Sequence, residues 1–114
     1  MSDFSKEDYG DAVAQVIHMT KFIKKHLVDE DMENLLDARE MVEDVRPQLS
    51  PKALKGVRDF DRTLLREIDW MLSEHSYLVD KRRRLKIDQK YWWYYLDEIK
   101  AGKMQLPEDL RGAA

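Results

Sequence analysis

The sequence predicts an all-α protein, an antiparallel bundle of three to four helices with a long C-terminal helix. One observation is an apolar residue at every seventh position from Val57, as in a helix that packs along a partner helix. These residues are Val57, Leu64, Met71, Leu78, Leu85, Trp92 and Ile99. A second is the composition, with four Gly, three Pro, 43% hydrophobic and 38% charged residues, which is typical of a soluble helical chain. A length of 114 residues fits a single domain over 1–114.

The first helix is predicted over residues 5–28. Ser5 and Asp8 are both suitable amino-terminal caps, because their side-chain oxygens accept backbone N–H groups. The apolar positions alternate spacings of four and three, which places them on one helix face. These positions are Tyr9, Val13, Val16, Thr20, Ile23 and Leu27. Gly10 weakens the start of the helix by about 1 kcal/mol relative to alanine.

The second helix is predicted over residues 30–46. It stops before Pro47, since proline restricts the preceding residue and cannot continue the hydrogen-bond ladder. Its inward positions are Met32, Leu35, Ala38, Val42 and Val45.

The third segment, residues 51–101, is predicted as one helix or a mildly bent one. Ser50 and Pro51 form a cap and a first helical position, and neither Pro nor Gly occurs between residues 57 and 101. The alternative is a break near 85–88, with Asp88 capping a separate last helix that folds back into a four-helix bundle. Gly102 then ends the helical region as a C-cap, before a C-terminal turn and tail over 102–114.

The positions midway between the apolar residues at every seventh position, four residues after each, are mostly polar. They are Asp61, Ile68, His75, Arg82, Gln89 and Leu96. Polar residues at such positions can fix the register and oligomeric state of packed helices. We favour the simpler interpretation, in which these side chains lie half exposed at the edge of the core.

Charge is unevenly distributed along the chain, although the net charge is only −3. Residues 29–44 hold eight acidic residues against one arginine, and residues 81–90 hold six basic residues against one aspartate. On a helix, the basic residues line up with an exposed indole, which suits an acidic protein partner or a phosphate backbone. The predicted partner- or phosphate-binding residues are Arg82, Arg83, Lys86, Lys90, Trp93 and Tyr94. The alternative is a solvated basic face that pairs with the acidic second helix of the same or a neighbouring chain.

Patterns typical of enzymes and metal sites are weak. Residues 29–40 have the length and acidic spacing of a calcium loop, but Asn34 replaces the usual Gly and Glu33 a shorter side chain. The chain lacks cysteine and a His-Glu-x-x-His motif. His18 and His26 could share a helix face, which supports a metal only weakly, and no base partner accompanies His75. We therefore predict no catalytic residues, no metal ligands and no cofactor.

The sequence thus predicts a small helical protein-interaction or assembly module, either self-associating or a subunit of a larger complex. The alternative is a nucleic-acid-binding accessory subunit that uses the same basic residues, and a metal-binding or catalytic bundle comes third. A cytoplasmic location is expected, because the N-terminus lacks the basic and apolar regions of a signal peptide. No membrane association is expected, since the longest apolar run, residues 91–96, is too short for a span.

Overall fold

A computed structural model describes residues 6–23, 29–107 and 110. In these ranges the chain forms helices and no strand, which confirms the all-α prediction. The helices are α1 (Lys6–Met19), α2 (Asp29–Val45), α3 (Pro51–Arg66), α4 (Ile68–Glu74), α5 (Tyr77–Leu85) and α6 (Leu96–Lys100). Short 3₁₀ turns cover Thr20–Phe22, Arg46–Gln48 and Trp92–Tyr94. No helix in the described ranges is long and apolar enough to cross a membrane.

The chain divides into two compact units, residues 1–61 and 62–114. In the first unit, α1 packs against α2. The two helices bury part of the predicted apolar set together with Ala12 and Leu36, whereas the predicted Tyr9, Val13, Thr20 and Val45 are only half-buried. The buried side chains are Ala12 and Val16 of α1 with Met32, Leu35, Leu36, Ala38 and Val42 of α2. Ile23 is also buried, whereas the predicted Ser5 cap and Leu27 lie outside the described residues.

The second unit contains the largest difference from the sequence prediction, because the continuous helix over 51–101 is not formed. The backbone leaves the helical region at His75, with φ −126° and ψ 44°, and α5 ends at Leu85. Lys86 then adopts the left-handed conformation, with φ 51°, and its N–H and that of Ile87 donate to the Arg82 carbonyl. The predicted break near 85–88 is therefore observed, but the separate last helix expected from residue 89 is not, because the next α-helix is the five-residue α6. Asp88 caps no helix there; its Oδ1 accepts the Lys90 N–H at 2.8 Å in a local turn.

These interruptions change which of the apolar residues at every seventh position are buried. Most of these residues are buried as predicted, namely Val57, Leu64, Met71, Leu78 and Trp92. Leu85 is 57% exposed, because α5 stops there and no following turn covers it. The expectation that the polar intervening positions are half exposed is wrong for Asp61, His75 and Arg82, which are buried.

Gly102 is confirmed as the residue that terminates the last helix. It has φ +77°, and its N–H donates to the Ile99 carbonyl while the Lys103 N–H donates to the Glu98 carbonyl. This pair of hydrogen bonds is a Schellman motif, in which glycine takes the left-handed position without a Cβ penalty.

Lys86 occupies the equivalent left-handed position after α5, but with a side chain. We expect Lys86→Gly to raise the free energy of unfolding by about 1 kcal/mol, since glycine relieves the steric strain. Gly102→Ala is the matched opposite change and should lower it by about 1 kcal/mol. Chemical denaturation measures both. A destabilised Lys86→Gly variant would contradict the conformation of this helix end.

Candidate interaction surface

Arg82, one of the predicted binding residues, is engaged within the second unit. Its Nη1 donates to Asp97 Oδ1 at 2.5 Å and to the Tyr94 carbonyl at 3.3 Å, and its Nη2 donates to Asp97 Oδ2 at 3.3 Å. Glu98 Oε2 lies 3.4 Å from Nη1, and the guanidinium lies 4.8 Å from the centre of the Tyr95 ring. Arg82 therefore ties α5 to the start of α6, and these contacts leave it poorly placed to hold a phosphate.

The same ion pair shifts the ionisation of Asp97. Desolvation alone raises the pKa of Asp97, but the hydrogen bond and charge of Arg82, together with backbone donors, outweigh it and lower the pKa. The hydrogen bond from Asp97 in turn raises the pKa of Arg82. Both groups are consequently held in their charged forms at neutral pH.

This shift predicts a pH-dependent contribution to stability. Because the pKa of Asp97 is lowered in the folded state, its ionised form stabilises the protein at pH values above the ordinary aspartate pKa of 3.8. This stabilisation is lost as the pH falls through the folded-state pKa. We expect Asp97→Asn to lower the free energy of unfolding at pH 7, and the difference from wild type to shrink below about pH 4. Urea denaturation as a function of pH measures this. Asp80→Asn, at an exposed site on α5, is the control, and a pH-independent difference for Asp97→Asn would refute the ion pair.

The expected exposure of Trp93 is wrong. Trp93 and Tyr94 are fully buried with Trp92, in the 3₁₀ turn that precedes α6. The Trp92 and Trp93 rings meet edge to face with centroids 5.7 Å apart, and Lys81 Nζ lies 5.2 Å from the centre of the Tyr94 ring. The prediction assumed one helix phase from Arg82 to Trp93, and the chain loses that phase at Lys86.

Tyr95, which follows the Trp92–Tyr94 turn, connects this turn to the segment that contains Ile87. Tyr95 Oη donates a hydrogen bond to the carbonyl of Ile87, and the Tyr95 N–H donates to the Trp92 carbonyl at 2.8 Å. Neither Trp93 nor Tyr94 can therefore serve as a surface anchor in this conformation.

A group of exposed residues close in sequence remains at the end of α5 and in the following turn. It comprises Arg83, Arg84, Leu85, Lys86 and Lys90, and we call it the basic rim. Three of its members are predicted binding residues, and Arg84 and Leu85 are additional exposed residues. Arg84 does not lie on the predicted helix face that carries the basic residues and Trp93. The seven-residue period predicts that Leu85 lies in the core. Lys90 Nζ lies 4.9 Å from the centre of the Tyr91 ring, which holds this cation beside an aromatic face.

The acidic segment is helical, so it does not form the calcium loop considered above. Residues 29–40 all lie in α2, and helical geometry spreads their carboxylates around the axis instead of converging them on one ion. Among the described residues no group of three or more His, Cys, Asp or Glu side chains is placed to hold a metal. His18 is exposed beside Phe22, and His26 lies outside the described residues.

One side of α2 presents acidic side chains to solvent. Glu30, Asp31, Asp37 and Asp44 are exposed, and we call them the acidic face. The one basic residue of this segment, Arg39, points the other way and is completely buried. The acidic face and the basic rim therefore carry opposite charges on separate units of the chain.

Comparison with known proteins assigns no family. No protein-family model matches the sequence. No curated protein matches it. No solved structure matches the fold. Function must therefore be argued from the chemistry of the surfaces themselves.

Proposed function

We propose that this chain is an assembly module that associates with further copies of itself, the basic rim of one copy binding the acidic face of α2 in another. The observation that supports this most strongly is Leu85, a large apolar side chain 57% exposed and flanked by Arg83, Arg84 and Lys86. An exposed apolar residue with cationic neighbours along the chain is typical of a contact with an acidic surface, where charge guides the encounter and apolar burial adds affinity.

The acidic face has the complementary chemistry. Its exposed carboxylates recur along α2 and are accompanied by the half-buried Met41 and Val45, which could contact Leu85. Because the two surfaces differ, the contact is heterologous, and such contacts build rings or chains of subunits. Surface ion pairs contribute little singly, so we expect weak association that high salt dissociates.

Charge reversal tests the proposal. We expect the wild-type protein to show a mass above the monomer in sedimentation at low ionic strength. The double variant Arg83→Glu/Arg84→Glu and the double variant Asp31→Lys/Asp37→Lys should each be monomeric. A mixture of the two should regain the larger mass, because each variant then meets an oppositely charged surface. Lys52→Glu/Lys55→Glu reverses exposed charges on α3 and should associate as wild type does.

Two results would overturn the proposal. One is a monomeric wild-type mass at every protein concentration and ionic strength tested. The other is a pair of reversed variants that remain monomeric when mixed.

Nucleic-acid binding is the second candidate, and the four exposed cations of the basic rim favour it. Burial of Trp93 counts against it, since the indole is not available for a base to stack on. Titration with single- and double-stranded DNA and RNA distinguishes the candidates. Binding that weakens steeply with salt and is lost in Arg83→Glu/Arg84→Glu would favour nucleic acid over self-association.

A further inference from the structure

The first unit contains an open cavity of about 500 Å³ that shares Asp44 and Val45 with the surface used in the proposed assembly. It lies between the start of α1 and the end of α2 with its following 3₁₀ turn. The lining residues are Tyr9, Gly10 and Val13 from α1 with Asp44, Val45, Gln48 and Leu49. Small-molecule sites in proteins occupy roughly 300–1,000 Å³, so this volume suits a small organic ligand.

Gly10, one of the lining residues, contributes no side chain to the cavity. A Cβ added at Gly10 would meet nothing within 4 Å, although glycine in a helix costs about 1 kcal/mol relative to alanine. Gly56 of α3 is different, because a Cβ there would approach Ile17 Cγ1 and Cδ1 at 2.8 Å. Packing therefore accounts for Gly56 but not for Gly10. Gly10 lines the cavity without a side chain, and a larger side chain at this position would have room to extend into the open space.

The chemistry of the lining favours one class of ligand. Asp44 is the charged side chain among the lining residues, and it lies in the last turn of α2, where the helix dipole adds negative potential. Tyr9 contributes an aromatic ring, which attracts cations through its face. Val13, Val45 and Leu49 supply apolar surface. An acidic group, an aromatic ring and aliphatic walls together fit a cation that carries a hydrocarbon chain.

We propose that this cavity binds an amphiphilic organic cation, a primary alkylammonium or arylalkylammonium, with the ammonium at Asp44 and the chain along Val13 and Leu49. The carboxylate and the tyrosine ring select the positive charge, and the aliphatic walls select the chain. This site lies in a different unit from the basic rim but overlaps the acidic face at Asp44, so ligand binding is expected to compete with the proposed assembly.

Titration of the full chain with n-hexylammonium tests the proposal, followed by methyl-resolved NMR. We expect saturable shifts at the methyl groups of Val13, Val45 and Leu49. Affinity should rise by up to about fourfold per methylene from butyl- to hexylammonium, since each buried methylene adds apolar contact. Hexanoate, of the same length and opposite charge, should not bind. Equal binding of hexanol and hexylammonium would overturn the selection of a cation.

Two variants localise the binding. Gly10→Leu places a side chain in the open space and should abolish the saturable shifts, while its helical circular dichroism stays as in wild type. Asp44→Asn should weaken hexylammonium binding by about three- to tenfold. Asp37→Asn is the matched control on the same helix outside the cavity, and it should bind as wild type does. Unchanged binding by Gly10→Leu would overturn the site.

Discussion

Replacing Arg39 with methionine is expected to lower the free energy of unfolding by about 3–5 kcal/mol. Arg39 and Asp61 are both completely buried in the first unit. The guanidinium binds the Asp61 carboxylate through two parallel hydrogen bonds, Nε to Oδ1 at 2.8 Å and Nη2 to Oδ2 at 2.9 Å. Nη1 also lies 3.1 Å from Glu43 Oε1. Without Arg39, the buried Asp61 carboxylate would lose its hydrogen-bonded partner and keep only the weaker charge interaction with Arg46.

The pH dependence of the variant identifies this cause. Burial already raises the pKa of Asp61, against the hydrogen bond and charge of Arg39, which lower it. Removal of Arg39 should raise this pKa further, because desolvation then acts almost alone. A group whose pKa is raised in the folded state favours folding at low pH and loses that contribution as the pH rises. The deficit of Arg39→Met should therefore shrink as the pH is lowered from 7.

The double variant Arg39→Met/Asp61→Leu is the control. Replacing a buried ion pair by apolar residues of similar size is often nearly neutral, so the double variant should recover most of the stability. Denaturant unfolding with circular dichroism measures all three proteins. A double variant no more stable than Arg39→Met, or a single variant that loses less than about 1 kcal/mol, would show that the pair does not hold α2 to α3.

Replacing Trp93 with alanine is the second large effect, an expected loss of about 3–5 kcal/mol. Trp93 is fully buried and contacts Tyr91, Trp92 and Tyr94 in the 3₁₀ turn. Truncation would leave a cavity that three neighbouring rings cannot fill without moving.

Leu85→Ala is the informative comparison for Trp93→Ala. The seven-residue period places Leu85 in the core, whereas the structure leaves it mostly exposed, so we expect a change within about 0.5 kcal/mol. Denaturant unfolding of both variants, followed by circular dichroism, decides between the continuous helix and the observed turn. A large loss for Leu85→Ala with a small one for Trp93→Ala would support the continuous helix and contradict the observed turn.

Local patterns predicted much of the helical structure. The apolar spacing of residues 30–46 identified the buried side of α2, Pro47 limited its end, and Gly102 marked the end of α6. These features depend on interactions between residues close in sequence. The seven-residue period also identified most of the buried residues of the set that begins at Val57. These residues stay buried because short interruptions of the helix do not move every one of them out of the core.

Other features depend on contacts that no local pattern encodes. The pairing of Arg39 with Asp61 joins residues 22 apart in the chain, and although both charges fall among apolar positions of their helices, no local pattern identifies one as the partner of the other. Lys86 in the left-handed conformation is equally hidden, since lysine has no preference for it. The wrong prediction for Lys86 also made the prediction for Trp93 wrong, because the expected exposure of Trp93 depends on an unbroken helix from Arg82 through Lys86 to Trp93.

The paired indoles of Trp92 and Trp93 also give the second unit a built-in optical probe. Their rings lie edge to face and out of contact with water, an arrangement that couples their electronic transitions. We expect blue-shifted emission from the native protein and an exciton contribution to its far-ultraviolet circular dichroism. Opening of the Trp92–Tyr94 turn would remove both signals, even if the helices of the first unit kept their ellipticity. Together with the emission of Trp70, which lies in the same unit, these signals report on the second unit during unfolding of the unlabelled chain.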